Sequence, residues 1–334
     1  MNDHQARPLR KVSLSIWDLP ASLLTQPHNF RRRMPKRGRE RSHQMAILAF
    51  IYRNRFVTAS QVRRRFTEIL KSDRTTRRHL AEMQESLKYL DLVPTPSPLW
   101  PKVYSVSSRG MRKLTQAFRK KRSSWQPPAG ERGRTGFSIH HVYHELACTE
   151  FLLDVCEAAK MTGAEVLELQ RRSLVKNDAF RLTSTSGTRL VPDGMLLLRT
   201  SQGMICTFVE VDTGSMSMNS IADKLQRYSD WSASDHGQTY VSDLYRKHGA
   251  NNPQSRFRIA IVCSNSHHTT NGQRRLQAIL GLADSLPPSI RRNVWLTTAA
   301  LVRDAGNILA CAIWCRAKGG NAGQPFLHRL PGSN

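Results

Sequence analysis

Two apolar segments in the second half of the chain contain acidic residues where a buried strand normally has apolar side chains. The first reads Val191-Pro192-Asp193-Gly194, and the second reads Phe208-Val209-Glu210-Val211-Asp212. Glu210 and Asp212 are two positions apart, so both point to one face of their strand. If the two strands pair as a hairpin, Asp193 approaches the same face. Three carboxylates so placed repel one another unless a hard divalent cation lies between them, and Mg²⁺ suits oxygen ligands.

The segments around these acids alternate between helical and extended patterns in the order α-β-β-β-α-β-α-β. They cover residues 139–161, 165–171, 190–199, 204–212, 219–231, 257–264, 273–286 and 294–298. This order predicts an α/β (α+β) domain over residues 137–317, built on a mixed sheet.

Residues 42–119 have a different pattern. Apolar spacing predicts a helix, a short helix that begins after Thr58, a longer helix, two short strands and a fourth helix. This is the order of a winged helix-turn-helix, whose third helix lies in the DNA major groove and contacts it through its N-terminal residues. The predicted DNA-binding residues are those at the start of the third helix and a lysine on the wing, namely Arg74, Thr75, Thr76, Arg77, Arg78 and Lys102.

The charge of the chain supports a nucleic acid partner. Lys and Arg number 51 against 25 Asp and Glu, for a formal net charge of +26. Residues 1–136 alone hold 30 Lys and Arg against 9 Asp and Glu. Each basic group placed on a phosphate releases counterions, so we expect this part of the chain to bind double-stranded DNA. No segment is apolar enough to predict a membrane span.

Three segments have compositions that predict flexibility: a basic arm at 1–41, a linker at 120–136 rich in Pro, Gly, Ser and Arg, and a tail at 318–334. The six cysteines form no CxxC motif and lie among apolar neighbours, which favours buried, reduced thiols. We therefore expect a cytoplasmic protein.

The acidic motifs on an αβββαβ core resemble the PD-(D/E)xK nuclease superfamily. Together with the winged helix, His140-His141, Pro192-Asp193, Glu210-Val211-Asp212-Thr213-Gly214 and Lys224-Leu225-Gln226-Arg227-Tyr228, they resemble more specifically the plasmid replication-relaxation family over residues 42–300. The resemblance implies a role in plasmid or mobile-element replication and transfer, through DNA nicking, relaxation or binding. One departure is that Asp212 stands where the nuclease signature has lysine, and the resemblance implies that Lys224 on the following helix supplies that group.

The predicted site therefore consists of Asp193, Glu210 and Asp212 as ligands of Mg²⁺ (or Mn²⁺), with Lys224 assisting hydrolysis. Glu145 and Glu168 are further acids that could reach it. His140, His141 and His144 lack the order of a zinc-protease motif, so we expect packing or phosphate contacts from them. Tyr228 is expected to pack within its helix.

Two hypotheses of function remain open at this point. In the first, the chain is a DNA-binding protein whose metal-dependent nuclease-like domain nicks or relaxes DNA. In the second, it is a non-catalytic winged-helix regulator of replication or transcription, and its C-terminal domain mediates dimerisation or partner contact. Whether the chain is an enzyme depends on whether the three carboxylates hold a divalent cation that supports hydrolysis.

Overall fold

The computed structural model describes residues 36–120, 138–171, 182–183, 189–250, 256–264 and 272–317. Most of the predicted arm and linker, and all of the predicted tail, lie outside the described residues. The prediction for residues 36–41 is wrong, because the first helix begins at Lys36 rather than at residue 42. Pro35 is the last proline before this point, and the Lys, Arg and Glu residues that follow favour a helix.

The N-terminal unit, residues 36–120, has the predicted order of elements with one additional short strand. Its elements are α1 (Lys36–Asn54), β1 (Val57–Thr58), α2 (Ala59–Arg65), α3 (Asp73–Ala81), β2 (Leu90–Val93), β3 (Val103–Val106) and α4 (Ser108–Lys120). Helix α3 continues into a π-helical turn at Glu82–Ser86. The strands form an antiparallel sheet in the order β1-β3-β2. Leu48, Ile51, Val62, Leu80 and Leu114 fill its core.

The C-terminal unit, residues 138–317, is built on a six-stranded mixed sheet. Its elements are α5 (Ile139–Thr162), β4 (Glu165–Arg171), β5 (Leu182–Thr183), β6 (Arg189–Leu190), β7 (Gly194–Thr200), β8 (Gly203–Asp212), α6 (Met218–Ala233), α7 (Asp235–Lys247), β9 (Phe257–Cys263), α8 (Gly272–Asp284), α9 (Pro288–Arg291), β10 (Val294–Thr298), α10 (Ala299–Asp304) and β11 (Cys315–Arg316). The strand order is β11-β10-β9-β8-β7-β4. Strands β4, β7 and β8 pair antiparallel, whereas β8, β9 and β10 are parallel.

The predicted fold class, α+β with a mixed sheet and an αβββαβ core, is confirmed. The sequence did not predict α7 or the elements after β10. Each face of the sheet has its own apolar layer, as the alternation of side chains along a strand requires. Phe208 and Ile259 pack against α6 and α8, while Val209 and Val211 pack against α5. Helix α5 ends at Gly163, whose positive φ of 69° is readily adopted by glycine.

Helix α5 also contacts the N-terminal unit. Arg64 on α2 makes ion pairs with three acids along α5: Glu150, Asp154 at 2.6 Å and Glu157 at 2.7 Å. Gln61, which caps α2 together with Thr58, donates from its amide nitrogen to the Leu146 carbonyl and to Glu150, both at 2.9 Å. A small apolar cluster of Phe56, Val103 and Val142 joins the same two surfaces. The two units therefore share a packed, ion-paired interface.

Neither unit contains a membrane-spanning helix: within the described ranges, none is long and apolar enough. No disulfide joins the six cysteines, all of which are in these ranges, but only Cys148, Cys206 and Cys263 are buried as expected.

Replacing Arg64 with methionine is expected to lower the free energy of unfolding by about 2 kcal/mol, because three partly buried acids lose their shared cation. Urea unfolding followed by circular dichroism measures this loss. The matched control is Arg63→Met on the same helix, since Arg63 pairs with the exposed Asp73 and should contribute less than about 0.5 kcal/mol. Equal losses in the two variants would contradict the assigned interface.

Candidate functional site

Strand pairing fixes Asp193 at the beginning of β7, beside the end of β8. Gly194 lies opposite Val209, and the Asp193 backbone N–H donates to the Val209 carbonyl at 3.0 Å. The Asp193 side chain turns towards β8, where its Oδ2 accepts a 3.0 Å hydrogen bond from the Val211 N–H. The hairpin that the sequence suggested is therefore present, and it brings Asp193 next to the acidic end of β8.

Glu210 is buried against α6 and has two partners there. Lys224 contacts its Oε2, and the Tyr228 hydroxyl donates to its Oε1 at 2.6 Å. Lys224 and Tyr228 are four residues apart, so they lie on one face of the helix. Ser217 begins this helix as its N-cap, accepting from the Ser220 N–H. Lys224 thus occupies the place that the resemblance implied, directly beside Glu210.

Asp212 is separated from this group. It pairs with Arg275 of α8, whose Nε and Nη2 lie 2.6 and 3.2 Å from the carboxylate oxygens, and it also accepts from the Gly214 N–H at 3.1 Å. Two residues along a strand span about 6.6 Å, so sharing one face does not bring Asp212 up to Glu210. Among the described residues, the three predicted carboxylate ligands do not form a cluster with donor atoms within 4.8 Å of one another. The predicted set of three metal ligands is therefore not assembled.

Burial and charge determine the protonation of the two remaining acids. Burial raises the pKa of Glu210 to about 7, and the charge of Asp193 adds to this rise, although Lys224 and Tyr228 oppose it. Burial also disfavours the charged form of Asp193. The charges of Lys224 and His144 and the Val211 N–H outweigh that effect and hold the pKa of Asp193 well below its usual range. Asp193 is thus ionised, whereas Glu210 binds a proton readily near neutral pH.

His144 and Cys148 of α5 complete the surroundings of Asp193. The His144 Nε2 lies 3.2 Å from Asp193 Oδ1 and 3.6 Å from Cys148 Sγ. Burial works against a charged imidazole, but hydrogen bonds and charges from Asp193 and Cys148 raise the pKa of His144 to about 11. In the part of the chain that the structure describes, His144, Cys148 and Asp193 are the cluster whose donor atoms lie within 4.8 Å of one another.

The other acids considered from the sequence lie elsewhere. Glu145 is buried and paired with Arg171, at 2.5 Å between Oε2 and Nη2, so it does not join Asp193. Glu168 is equally buried and contacts His248 at 3.0 Å and Lys247 at 3.4 Å. Of the remaining histidines on α5, His140 is exposed and His141 meets Arg55 at 3.2 Å.

The N-terminal residues of α3 differ in exposure. Arg74, Arg77 and Arg78 are exposed, as is Lys102 between β2 and β3. Thr75 is half-buried, and its backbone N–H donates to the capping Ser72 hydroxyl at 3.2 Å. Thr76 is fully buried and donates its hydroxyl to the Ser72 carbonyl at 2.9 Å. The prediction that Thr76 contacts DNA is therefore wrong, because its position on α3 faces the core.

Sequence reasoning missed four residues of this region: His144 as a neighbour of Asp193, Cys148, Tyr228 as a donor to Glu210, and Arg275. A weak signal existed for three of them: His144 and Cys148 are four apart and therefore share a helix face. Tyr228 is likewise four residues after Lys224. No local signal marks Arg275, since its contact with Asp212 joins residues 63 positions apart.

The fold and site define a class: a basic helical unit docked on an α+β unit whose sheet has Asp193, Glu210 and Lys224 together at one end. The family model described as replication-relaxation matches residues 48–241, which is more than half of the chain and includes all three residues. The chain belongs to the replication-relaxation family, and the resemblance noted in its sequence is confirmed.

Two solved structures resemble the chain remotely: the restriction endonuclease FokI, and FokI bound to DNA. Sequence identity is 13% and 12%, with TM-scores of 0.26 and 0.25. Each comparison covers 80% of this chain, which spans only 43% and 44% of the respective FokI chains. At such TM-scores the likeness supports no argument about the site. No curated protein matches the chain.

Replacing Arg275 with methionine is expected to destabilise the protein by about 3 kcal/mol, because Asp212 would keep a buried charge without its cation. The double variant Asp212→Asn/Arg275→Met should lose less than the sum of the two single variants. A double-mutant cycle on urea unfolding free energies measures this coupling. Additive losses would show that the two side chains do not interact.

Proposed function

We propose that this chain is a DNA-binding protein of plasmid or mobile-element replication and transfer whose C-terminal unit hydrolyses a phosphodiester with a divalent cation. The observation that supports this most directly is the convergence of Asp193, Glu210 and Lys224, from β7, β8 and α6, at one end of the mixed sheet. Membership of the replication-relaxation family supports the biological setting.

The donor set fits a divalent cation. Asp193 and Glu210 are both buried, and each acts on the other's charge, so the ionised pair is unfavourable without added positive charge. We assign the cation to Mg²⁺ or Mn²⁺, since carboxylate oxygens suit such ions. When bound, the cation polarises the phosphodiester and lowers the pKa of water. Asp212 is left out of this set, because its carboxylate is held by Arg275 of α8, away from Lys224.

The chain's own residues have distinct tasks in this mechanism. Asp193 and Glu210 bind the cation. Tyr228 holds the Glu210 carboxylate in place through its hydroxyl hydrogen bond. Lys224 provides a fixed positive charge beside the reacting group, where it stabilises negative charge that develops on the phosphate in the transition state.

DNA binding is assigned to the N-terminal unit as a winged helix-turn-helix. Arg74, Arg77 and Arg78 are exposed on the first turns of α3, the helix that enters the major groove in this motif. Lys102, exposed on the wing between β2 and β3, reaches the neighbouring backbone. Thr75 is close enough to the surface for a phosphate contact, whereas Thr76 supports the helix from inside.

One observation favours a second candidate function. Each acid at this end of the sheet already has a cationic partner within the chain: His144 for Asp193, Lys224 for Glu210 and Arg275 for Asp212. Charges neutralised in this way need no metal. A non-catalytic regulator of replication or transcription, in which the C-terminal unit mediates dimerisation or partner contact, is therefore the alternative.

The first test is nicking of supercoiled plasmid DNA with Mg²⁺ or Mn²⁺. Wild-type protein should convert supercoiled to open-circular DNA. Asp193→Asn and Glu210→Gln should slow the conversion by about a hundredfold or more, because each removes a charged cation ligand. Lys224→Met should slow it by about a hundredfold, because the charge that stabilises the transition state is gone.

The matched control is Asp223→Asn, an exposed acid next to Lys224 on α6, which should keep the wild-type rate. Equal nicking by all variants would indicate a contaminating nuclease. Absence of nicking by wild-type protein that still binds DNA would reject the catalytic proposal in favour of the regulator.

DNA affinity measured against salt concentration tests the winged helix. Replacing Arg74, Arg77 and Arg78 with alanine should weaken binding, and the slope of log K against log salt should fall by about one for each arginine that had neutralised a phosphate. Arg246→Ala, an exposed arginine on α7, should leave both affinity and slope unchanged. An unaltered slope in the triple variant would show that α3 is not the DNA-contacting helix.

A further inference from the structure

The cluster on α5 has a chemistry that magnesium does not explain. His144 provides an imidazole nitrogen, Cys148 a thiol sulfur and Asp193 a carboxylate oxygen, all within 4.8 Å of one another. Mg²⁺ binds oxygen ligands, whereas nitrogen and sulfur donors select zinc and similar transition metals. Neither His144 nor Cys148 is a ligand in the proposed magnesium site, so that site does not account for the nitrogen and sulfur donors.

The spacing of the donor atoms matches tetrahedral zinc. Zinc bonds of about 2.0 Å to nitrogen or oxygen and about 2.3 Å to sulfur place a nitrogen and an oxygen ligand about 3.3 Å apart, and a nitrogen and a sulfur ligand about 3.5 Å apart. The observed distances from His144 Nε2 are 3.2 Å to Asp193 Oδ1 and 3.6 Å to Cys148 Sγ. Both distances from the imidazole nitrogen therefore match those expected around one zinc ion, and the sulfur and carboxylate donors lie within 4.8 Å of each other.

The sequence and fold explain this arrangement. His144 and Cys148 are four residues apart on α5, so both point to one side of the helix. The start of β7 brings Asp193 to that side, and the Val211 N–H holds its other carboxylate oxygen. Two ligands lie on a helix, and the third, directly before β7, is held to β8 by hydrogen bonds of its backbone N–H and its carboxylate.

Charge and access agree with a bound dication. A thiolate and a carboxylate together match the charge of Zn²⁺, and the nearby buried cation Arg171 interacts with Cys148 and Asp193 as well as with its ion-pair partner Glu145. His144 has 20% of its side chain exposed, whereas Asp193 has 6% and Cys148 lies deeper still. A metal ion can therefore reach the cluster past the imidazole, and its binding releases the protons of the His144 imidazole and the Cys148 thiol to solvent.

We infer that His144, Cys148 and Asp193 form a zinc-binding site next to the proposed magnesium site, with Asp193 common to both. Three protein ligands leave a fourth tetrahedral position for water or a substrate oxygen. Binding of zinc here does not depend on whether the protein cleaves DNA.

The test is titration of the reduced full-length protein with Zn²⁺ and with Co²⁺, a spectroscopic substitute for zinc. Native mass spectrometry should find one zinc ion per chain. Cobalt should give the near-ultraviolet absorption of a cobalt–thiolate bond, together with the visible bands of a tetrahedral ion. His144→Gln and Cys148→Ser should each weaken zinc binding about tenfold or more, and Cys148→Ser should abolish the thiolate absorption.

Two control variants show whether the metal is bound by these three residues. Cys156→Ser removes a second cysteine of α5 and should leave the absorption intact. Glu210→Gln removes a ligand of the proposed magnesium site and should leave zinc binding intact, so loss of nicking in that variant does not affect this inference. A wild-type protein that binds no zinc, or that binds cobalt without a thiolate band, would overturn the proposal even if a variant failed to fold.

Discussion

Asp193, Glu210 and Asp212 lie buried at the ends of two neighbouring strands, and a carboxylate that leaves water needs compensating charge or hydrogen-bond donors. This requirement determines much of the C-terminal unit. Helix α5 provides His144 for Asp193, helix α6 provides Lys224 for Glu210, and helix α8 provides Arg275 for Asp212. Three helices from both faces of the sheet thus converge on one end of it. The apolar layers that hold those helices are the support for this arrangement of charges.

The parts of this arrangement that follow from local patterns were predictable. The two adjacent apolar segments suggested a hairpin and hence the approach of Asp193 to Glu210, and family resemblance indicated Lys224. The partners chosen by tertiary packing were not predictable. Arg275 reaches Asp212 only because α8 packs over the end of β8, and nothing near position 275 in the sequence encodes that contact. Thr76 shows the same limit, since helix position alone did not distinguish its buried side from the exposed side of Arg77.

Asp193 has a special position because groups on α5 and on α6 both act on it. From α5 it meets nitrogen and sulfur donors, and on the other side it is coupled to Glu210 and Lys224. Two metals of different chemical preference would thus compete for one carboxylate. Zinc bound by His144, Cys148 and Asp193 would withdraw Asp193 from the magnesium site. The proposed zinc site would therefore act on the proposed nuclease through a shared ligand rather than through a distant conformational change.

The ion pairs of Arg64 have a consequence for how such proteins can be recombined. Its three partners lie on α5, the same helix that positions His144, and Gln61 combines capping of its own helix with bonds to α5. The N-terminal unit is therefore not a detachable module. A chimera that exchanges it for the corresponding unit of a relative would have to bring the outer surface of α5 with it, while keeping the inner surface matched to the recipient sheet.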